Sequence, residues 1–190
     1  MAGENTSDAD LVAAAQAGDR DALEQLLRRH HDRVRALARR LCGNDADAAD
    51  ATQEALISIV RGLDHFDQRA AFGTWAYRVA TNACLDELRR RARRPQPHPD
   101  STFSAPAQGS DPGEVVSARL DVDAALAALP IEFRAAVVLR DLCALDYAEI
   151  AEVLDIPAGT VRSRIARGRA AIASHLGNPD ADDQRPKTSP

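Results

Sequence analysis

Between Asp146 and Leu176 the sequence sets arginine, serine, threonine and small residues at helical spacing, the side chains that bond base edges and phosphates. Asp146 and Glu149 form a capping box that opens a helix over Tyr147–Leu154, each side chain satisfying a backbone N–H left orphaned at the helix start. Asp155-Ile156-Pro157 reads as a turn, and Gly159-Thr160-Val161-Arg162-Ser163-Arg164 begins a second helix. In that helix Val161, Ile165, Gly168 and Ile172 share one face, which turns Arg162, Ser163, Ala166, Arg167 and Ala170 outward. Such a pair is a helix-turn-helix, in which arginines bond guanine edges or phosphates and alanines let the helix approach the groove floor. The bland alternative is a helical hairpin with a solvated arginine face. The caps, the turn length and the acid-free basic face together favour the nucleic-acid reader.

A second concentration of chemistry lies upstream. Phe72-Gly73-Thr74-Trp75-Ala76-Tyr77-Arg78-Val79-Ala80-Thr81-Asn82 leads into Asp86-Glu87-Leu88-Arg89-Arg90-Arg91, so the single Trp, a Tyr, an Asn and a run of arginines share one helix. Stacking rings beside a cationic track suit strands that are being separated. Phe72 and Trp75 are also natural core aromatics, and the sequence leaves open which role of Trp75 comes first. A third pattern is Asp47, Asp50, Gln53, Glu54, Ile57 and Arg61, placed opposite an apolar stripe of Ala49, Thr52, Leu56, Ile59, Val60 and Leu63. Alone it is a solvated polar face, with Ile57 beside Gln53 and Glu54 hinting at protein docking.

The elements that position these groups are helices. Ala, Leu and Arg dominate, and the period-two alternation of strands is almost absent, so the expected fold is all-α. Ser7 caps a helix running to Gln16, Gly18 breaks it, and Asp19–Leu41 is a long amphipathic run. Asn44 caps Asp45–Gly62, and after a turn at His65–Arg69 a fourth helix covers about Ala71–Arg91. Five prolines between residues 93 and 113 cannot continue a helix and mark a flexible linker. It divides two small helical domains, 7–92 and 114–177, and residues 178–190 read as a disordered tail.

Composition narrows the function. The net charge is -5, yet seven arginines lie between Arg69 and Arg94 and four, with no acid, between Ala158 and Gly177. Two basic patches on an acidic chain suggest two nucleic-acid contacts and a polar protein-facing surface. No apolar run approaches the ~20 residues of a membrane span, and Met1–Asp10 is unlike a secretory leader, so a cytoplasmic protein is expected. Cys42, Cys84 and Cys143 lack metal-ligand spacing and read as buried, reduced thiols. No glycine-rich phosphate loop, nucleophile motif or His–carboxylate cluster indicates an enzyme, a metal, a cofactor or a small-molecule substrate.

The order of the three patterns resembles an extracytoplasmic-function (ECF) RNA polymerase sigma factor. DATQEALISIV at Asp50–Val60 is similar to the polymerase-binding segment, and FGTWAYRVATNACLDELRRR at Phe72–Arg91 to the melting and minus-ten segment. LPIEFRAAVVLRDL at Leu129–Leu142, with DYAEIAEVLDIPAGTVRSRIARGRAAI at Asp146–Ile172, is similar to the minus-thirty-five module. The resemblance implies a region-2 helical bundle and a region-4 helix-turn-helix domain. It implies that Asp50, Gln53, Glu54 and Ile57 meet core RNA polymerase. Trp75, Arg78, Asn82, Arg89 and Arg90 then face the minus-ten element of promoter DNA, with the loop around His65–Phe72 receiving a flipped base. Thr160, Arg162, Ser163 and Arg167 contact the minus-thirty-five element. A membrane-anchored anti-sigma factor is the implied regulator, and AGDRDALEQLLRRHH and NACLDELRRR resemble the actinobacterial SigM-like group. Departures stand at Ala144 and Asp146, where the family often has Gly and Ser, at Pro157, where a capping Ser is common, and at Ala76 and Thr81, which replace a frequent Leu and Arg. The rival reading is a free-standing helix-turn-helix regulator whose N-terminal half dimerises or senses a signal.

Overall fold

The computed structural model describes residues 6–93 and 113–177, and among them every regular element is helical. α1 (Asp8–Gln16), α2 (Arg20–Cys42), α3 (Asp45–Gly62) and α4 (Phe72–Arg93) form the first group, with a 3-10 turn at Leu63–His65. α5 (Gly113–Ala128), α6 (Ile131–Asp141), α7 (Tyr147–Leu154) and α8 (Ala158–His175) form the second. The expected linker beyond Arg93 and the expected tail lie outside the described residues.

Local chemistry sets the ends. The Ser7 side chain accepts from Asp10 N–H and Asp10 reaches back to Ser7 N–H, a capping box. Asp19 and Asn44 cap α2 and α3, and Asp146 with Glu149 closes the predicted box on α7. Arg29 and His30 on α2 both hold the Asp8 carboxylate, at 2.6 and 2.7 Å, pinning α1 along α2.

α2, α3 and α4 pack against one another, and α6, α7 and α8 do likewise. The predicted face of α8 is correct: Val161, Ile165 and Gly168 are buried and Ile172 is half-buried. The predicted stripe of α3 is correct at Thr52, Ile59 and Leu63, which are buried, and misplaced at Ala49 and Val60. Its buried face is Ala48, Ala51, Thr52, Ala55 and Ile59, whereas Ala49 and Val60 are exposed and Leu56 is half-buried. The cause is close packing, because this face meets the small residues Ala38, Cys42, Ala80, Ala83 and Cys84 in one core, where alanine permits an approach that leucine would block. Asp47, expected on the outer face, is buried beside the Asn44 cap and bonded by Arg91 at 2.8 Å.

The two groups of helices are not packed apart. α7 lies against α4, α5 and α6 lie against α2, and one apolar cluster runs from Val34, Leu37 and Tyr77 to Val137, Ile150 and Val161. A second cluster, built on Leu11, Leu26, Ile59, Phe66 and Phe72, belongs to the N-terminal module.

Candidate nucleic-acid interface

α4 presents Trp75, Arg78, Asn82 and Arg89 along one side, with Arg78, Asn82 and Arg89 exposed. Arg90 sits off that stripe, tied to the buried Glu87, and Arg89 bonds Asp86 at 2.8 Å. Arg78 carries no carboxylate partner among the described residues, so its donors are available to an anion. Trp75 is half-buried and stacks on Phe66 with centroids 4.9 Å apart and planes at 28°. Phe66 in turn meets Phe72 edge-on, and Phe72 meets His30 edge-on. Trp75 is therefore anchored on one side by the core. Trp75 also lines a cleft of about 400 Å³ whose walls include Phe66, Arg69 and Arg78.

The loop that forms this cleft is held from behind. Gln16, at the end of α1, donates from Nε2 to the carbonyls of Leu63 and Phe66 at 2.8 and 2.9 Å. Gln68 takes a left-handed backbone at φ 58°, and Asp67 accepts from Arg69 N–H in a turn of its own. Gln16 and Phe66 were not singled out from sequence, since a glutamine ending a helix carries no signature of a partner forty-seven residues away.

In the helix-turn-helix, Arg162, Ser163 and Arg167 are exposed on α8 and Thr160 is half-buried at its start. The Ser163 hydroxyl donates to Thr160 O at 2.9 Å. Two further residues join this surface. Tyr147, the first residue of α7, has the guanidinium of Arg140 5.2 Å and that of Arg162 5.7 Å from its ring centre, both within cation–π range. A guanidinium held over a ring keeps much of its N–H fork free, whereas one in a carboxylate pair does not. Arg169 shows the contrast: Asp141 grips it through two nitrogens, and that bond raises its pKa.

On α3, Asp50, Gln53, Glu54 and Arg61 are exposed as predicted, Ile57 is half-buried, and Val60 is 42% exposed at the edge of the same surface. That is a polar patch with a small apolar centre, the composition of a protein-docking face.

Among the described residues no group of His, Cys, Asp and Glu could hold a metal ion, and no helix is long and apolar enough to cross a membrane. Cys42 and Cys84 are buried and reduced, and burial pushes the half-buried Cys143 thiol up to about 12.

Residues 26–94 match the family model of sigma-70 region 2, and residues 119–172 match that of sigma-70 region 4. The ECF RNA polymerase sigma factor SigM of Mycobacterium tuberculosis is 43% identical over 171 residues, covering 90% of this chain and 85% of its own. The ECF RNA polymerase sigma factor SigW of Bacillus subtilis is 33% identical over 178 residues, covering 87% and 94%. Among solved structures, CnrH in complex with the cytosolic domain of CnrY is similar at TM-score 0.67 and 26% identity, over 90% of this chain and 98% of that one. With both sigma-70 regions in order and such relatives along most of its length, the chain belongs to the extracytoplasmic-function RNA polymerase sigma factors.

Proposed function

We propose that this sigma factor docks on core RNA polymerase through α3, reads the minus-thirty-five element with α8 and captures the opening minus-ten strand with α4 and its cleft. The observation that carries the reading is the placement of two cationic surfaces on two different modules, each backed by core packing. α8 exposes Arg162 and Arg167 on a face without acids, and α4 sets Arg78 and Asn82 beside a ring-lined cleft. The first suits a duplex groove, and the second suits unstacked bases. Asp50, Gln53 and Glu54, with Ile57 and Val60, supply the polymerase face.

Sigma factors are initiation factors without catalytic chemistry of their own, so every proposed role is one of binding and positioning. Two small patches on a chain of net charge -5 release few counterions, and most affinity for promoter DNA comes from tethering to polymerase. The work is cytoplasmic, and an anti-sigma factor, membrane-anchored, restrains it.

The test is association with purified core polymerase followed by run-off transcription on genomic promoter fragments. Stoichiometric binding and new discrete start sites are expected. Charge reversal at Asp50 or Glu54 abolishes the association, while Arg162→Ala and Arg167→Ala leave it intact and weaken promoter choice. Tight duplex binding without any association with core would overturn the proposal in favour of a free-standing regulator.

A further inference from the structure

We infer that Gln16 is a positioning residue of the minus-ten reader: it grips the loop behind the cleft, so that Phe66 and the residues after it are already set when an unstacked base arrives. The inference rests on the assignment of that cleft to the minus-ten strand.

The grip has a geometry that few side chains could supply. One nitrogen, Nε2, donates to Leu63 O at 2.8 Å and to Phe66 O at 2.9 Å, so both of its N–H bonds are used. Both partners are acceptors, which sets the amide with its nitrogen toward the loop. Glutamate in this place would turn a second oxygen on two carbonyls, and leucine would leave them without the donor. The two carbonyls bracket the 3-10 turn Leu63–His65. Leu63 O also accepts from Phe66 N–H at 3.0 Å, and Phe66 O opens the stretch that carries Asp67, the left-handed Gln68 and Arg69. Gln16 therefore clamps the residue whose ring stacks on Trp75 and the backbone that leads on to Arg69 in the cleft wall.

The clamp is itself held. Gln16 is the last residue of α1, and the chain behind it is closed by Gly18 N–H on Ala15 O and Asp19 N–H on Ala14 O, both at 3.0 Å, with Gly18 left-handed at φ 96°. Leu11 and Val12 bury α1 in the same core as Leu63, Phe66 and Phe72. Asp8, bonded by Arg29 and His30, fixes the other end of the helix. An amide delivered from a helix fixed at both ends loses little freedom when it bonds, and a loop ordered in advance spares the strand the cost of ordering it. Gln16 is exposed and lies outside the apolar cluster, so its replacement removes the clamp and leaves the core packing in place.

The experiment uses the full chain, with Gln16→Leu and Gln16→Glu beside the parent. Trp75 is the chain's single tryptophan, so its emission and its quenching by acrylamide in the free protein report the stack on Phe66. Labelled mixed-sequence single-stranded DNA, bound by the complex with core polymerase and compared with core alone, reports the cleft, and a labelled promoter duplex upstream of the minus-ten element reports α8. In both variants Trp75 should be more readily quenched and single-strand binding about fivefold weaker, since apparent affinity scales with the fraction of loops in the competent arrangement. Association with core and upstream-duplex binding should stay at the parental level. Leucine carries no charge, so a loss shared by both variants is not one of repulsion. Variants that melt earlier yet keep the parental quenching and single-strand affinity would make Gln16 structural only and overturn the inference. Looser Trp75 stacking without loss of single-strand affinity overturns it as well, and so does an equal loss on the upstream duplex. A parental complex that binds single strands no better than core alone overturns the assignment of the cleft, and the role of Gln16 with it.

Discussion

At the scale of single residues, the exposed arginines differ in what holds them. Arg89, Arg90, Arg91 and Arg169 are each gripped by a carboxylate, whereas Arg162 leans on the ring of Tyr147, which also meets the half-buried Arg140 that bonds Leu145 O. The ring orients the exposed Arg162 and leaves its donors for DNA, which makes Tyr147 a positioning residue. Tyr147→Leu should weaken binding of the polymerase complex to an upstream duplex by about two- to fivefold, the worth of an exposed cation–π contact, while Tyr147→Phe keeps the affinity. Fluorescence titration at two salt concentrations checks this, and equal losses in both variants would assign the effect to the hydroxyl. Ala144 offers a second test. Its backbone is left-handed at φ 56°, a conformation that costs a non-glycine residue roughly 1–2 kcal/mol. Ala144→Gly should therefore raise stability by up to about 1 kcal/mol in chemical denaturation, without altering DNA affinity.

At the scale of helices, ends were legible in the sequence and one face was so only in part. Ser7, Asn44 and Asp146 each placed a helix start within a residue, because a cap is a local bond between neighbours in the chain. The α3 face was legible at Thr52 and Ile59 but not among its alanines, because Ala49, Ala51 and Ala55 look alike to a hydrophobic pattern, and only the closeness of α2 and α4 selects Ala51 and Ala55 for burial. α8 was read correctly because Val161 and Ile165 leave no such ambiguity, and Gly168 marks its tightest point. A Cβ at Gly168 would stand 2.6 Å from Val137 Cγ2 and 3.4 Å from Phe133 O, so Gly168→Ala should force α8 off α6 at a cost of roughly 1–3 kcal/mol, read by thermal unfolding. The α1–α2 seam makes a pH prediction. Burial works against the Asp8 carboxylate, but the bonds and charges of Arg29 and His30 outweigh it and hold its pKa below 3.8. A depressed folded pKa contributes stability that is present above the unfolded value and lost as pH falls through the folded one. Asp8→Asn should thus melt earlier at neutral pH, and its melting temperature should converge with that of the parent as pH drops below 3.8.

At the scale of the molecule, the shared core was invisible to sequence reading. Arg134 on Leu41 O and Thr74 on Glu149 join positions far apart in the chain by bonds that leave no local pattern. The modules themselves were legible, since the proline-rich stretch separates two complete sets of helices. Their spacing sets a length requirement. Elements named minus ten and minus thirty-five lie about 25 base pairs apart, roughly 85 Å of duplex at ~3.4 Å per pair. A chain of this size folded as one body has a radius of gyration of about 16 Å and cannot reach both. Between α4 and α5 run residues 94–112, which at ~3.4 Å per residue reach about 65 Å when extended, enough to bridge two modules each about 30 Å across. Deleting residues 96–107 would leave a reach of about 25 Å. That variant should still bind core polymerase, because α3 is untouched. It should lose run-off transcription from promoters that need both elements while retaining single-strand capture at a pre-opened minus-ten site. Transcription at the parental level from a two-element promoter would show that the two readers do not act at that separation.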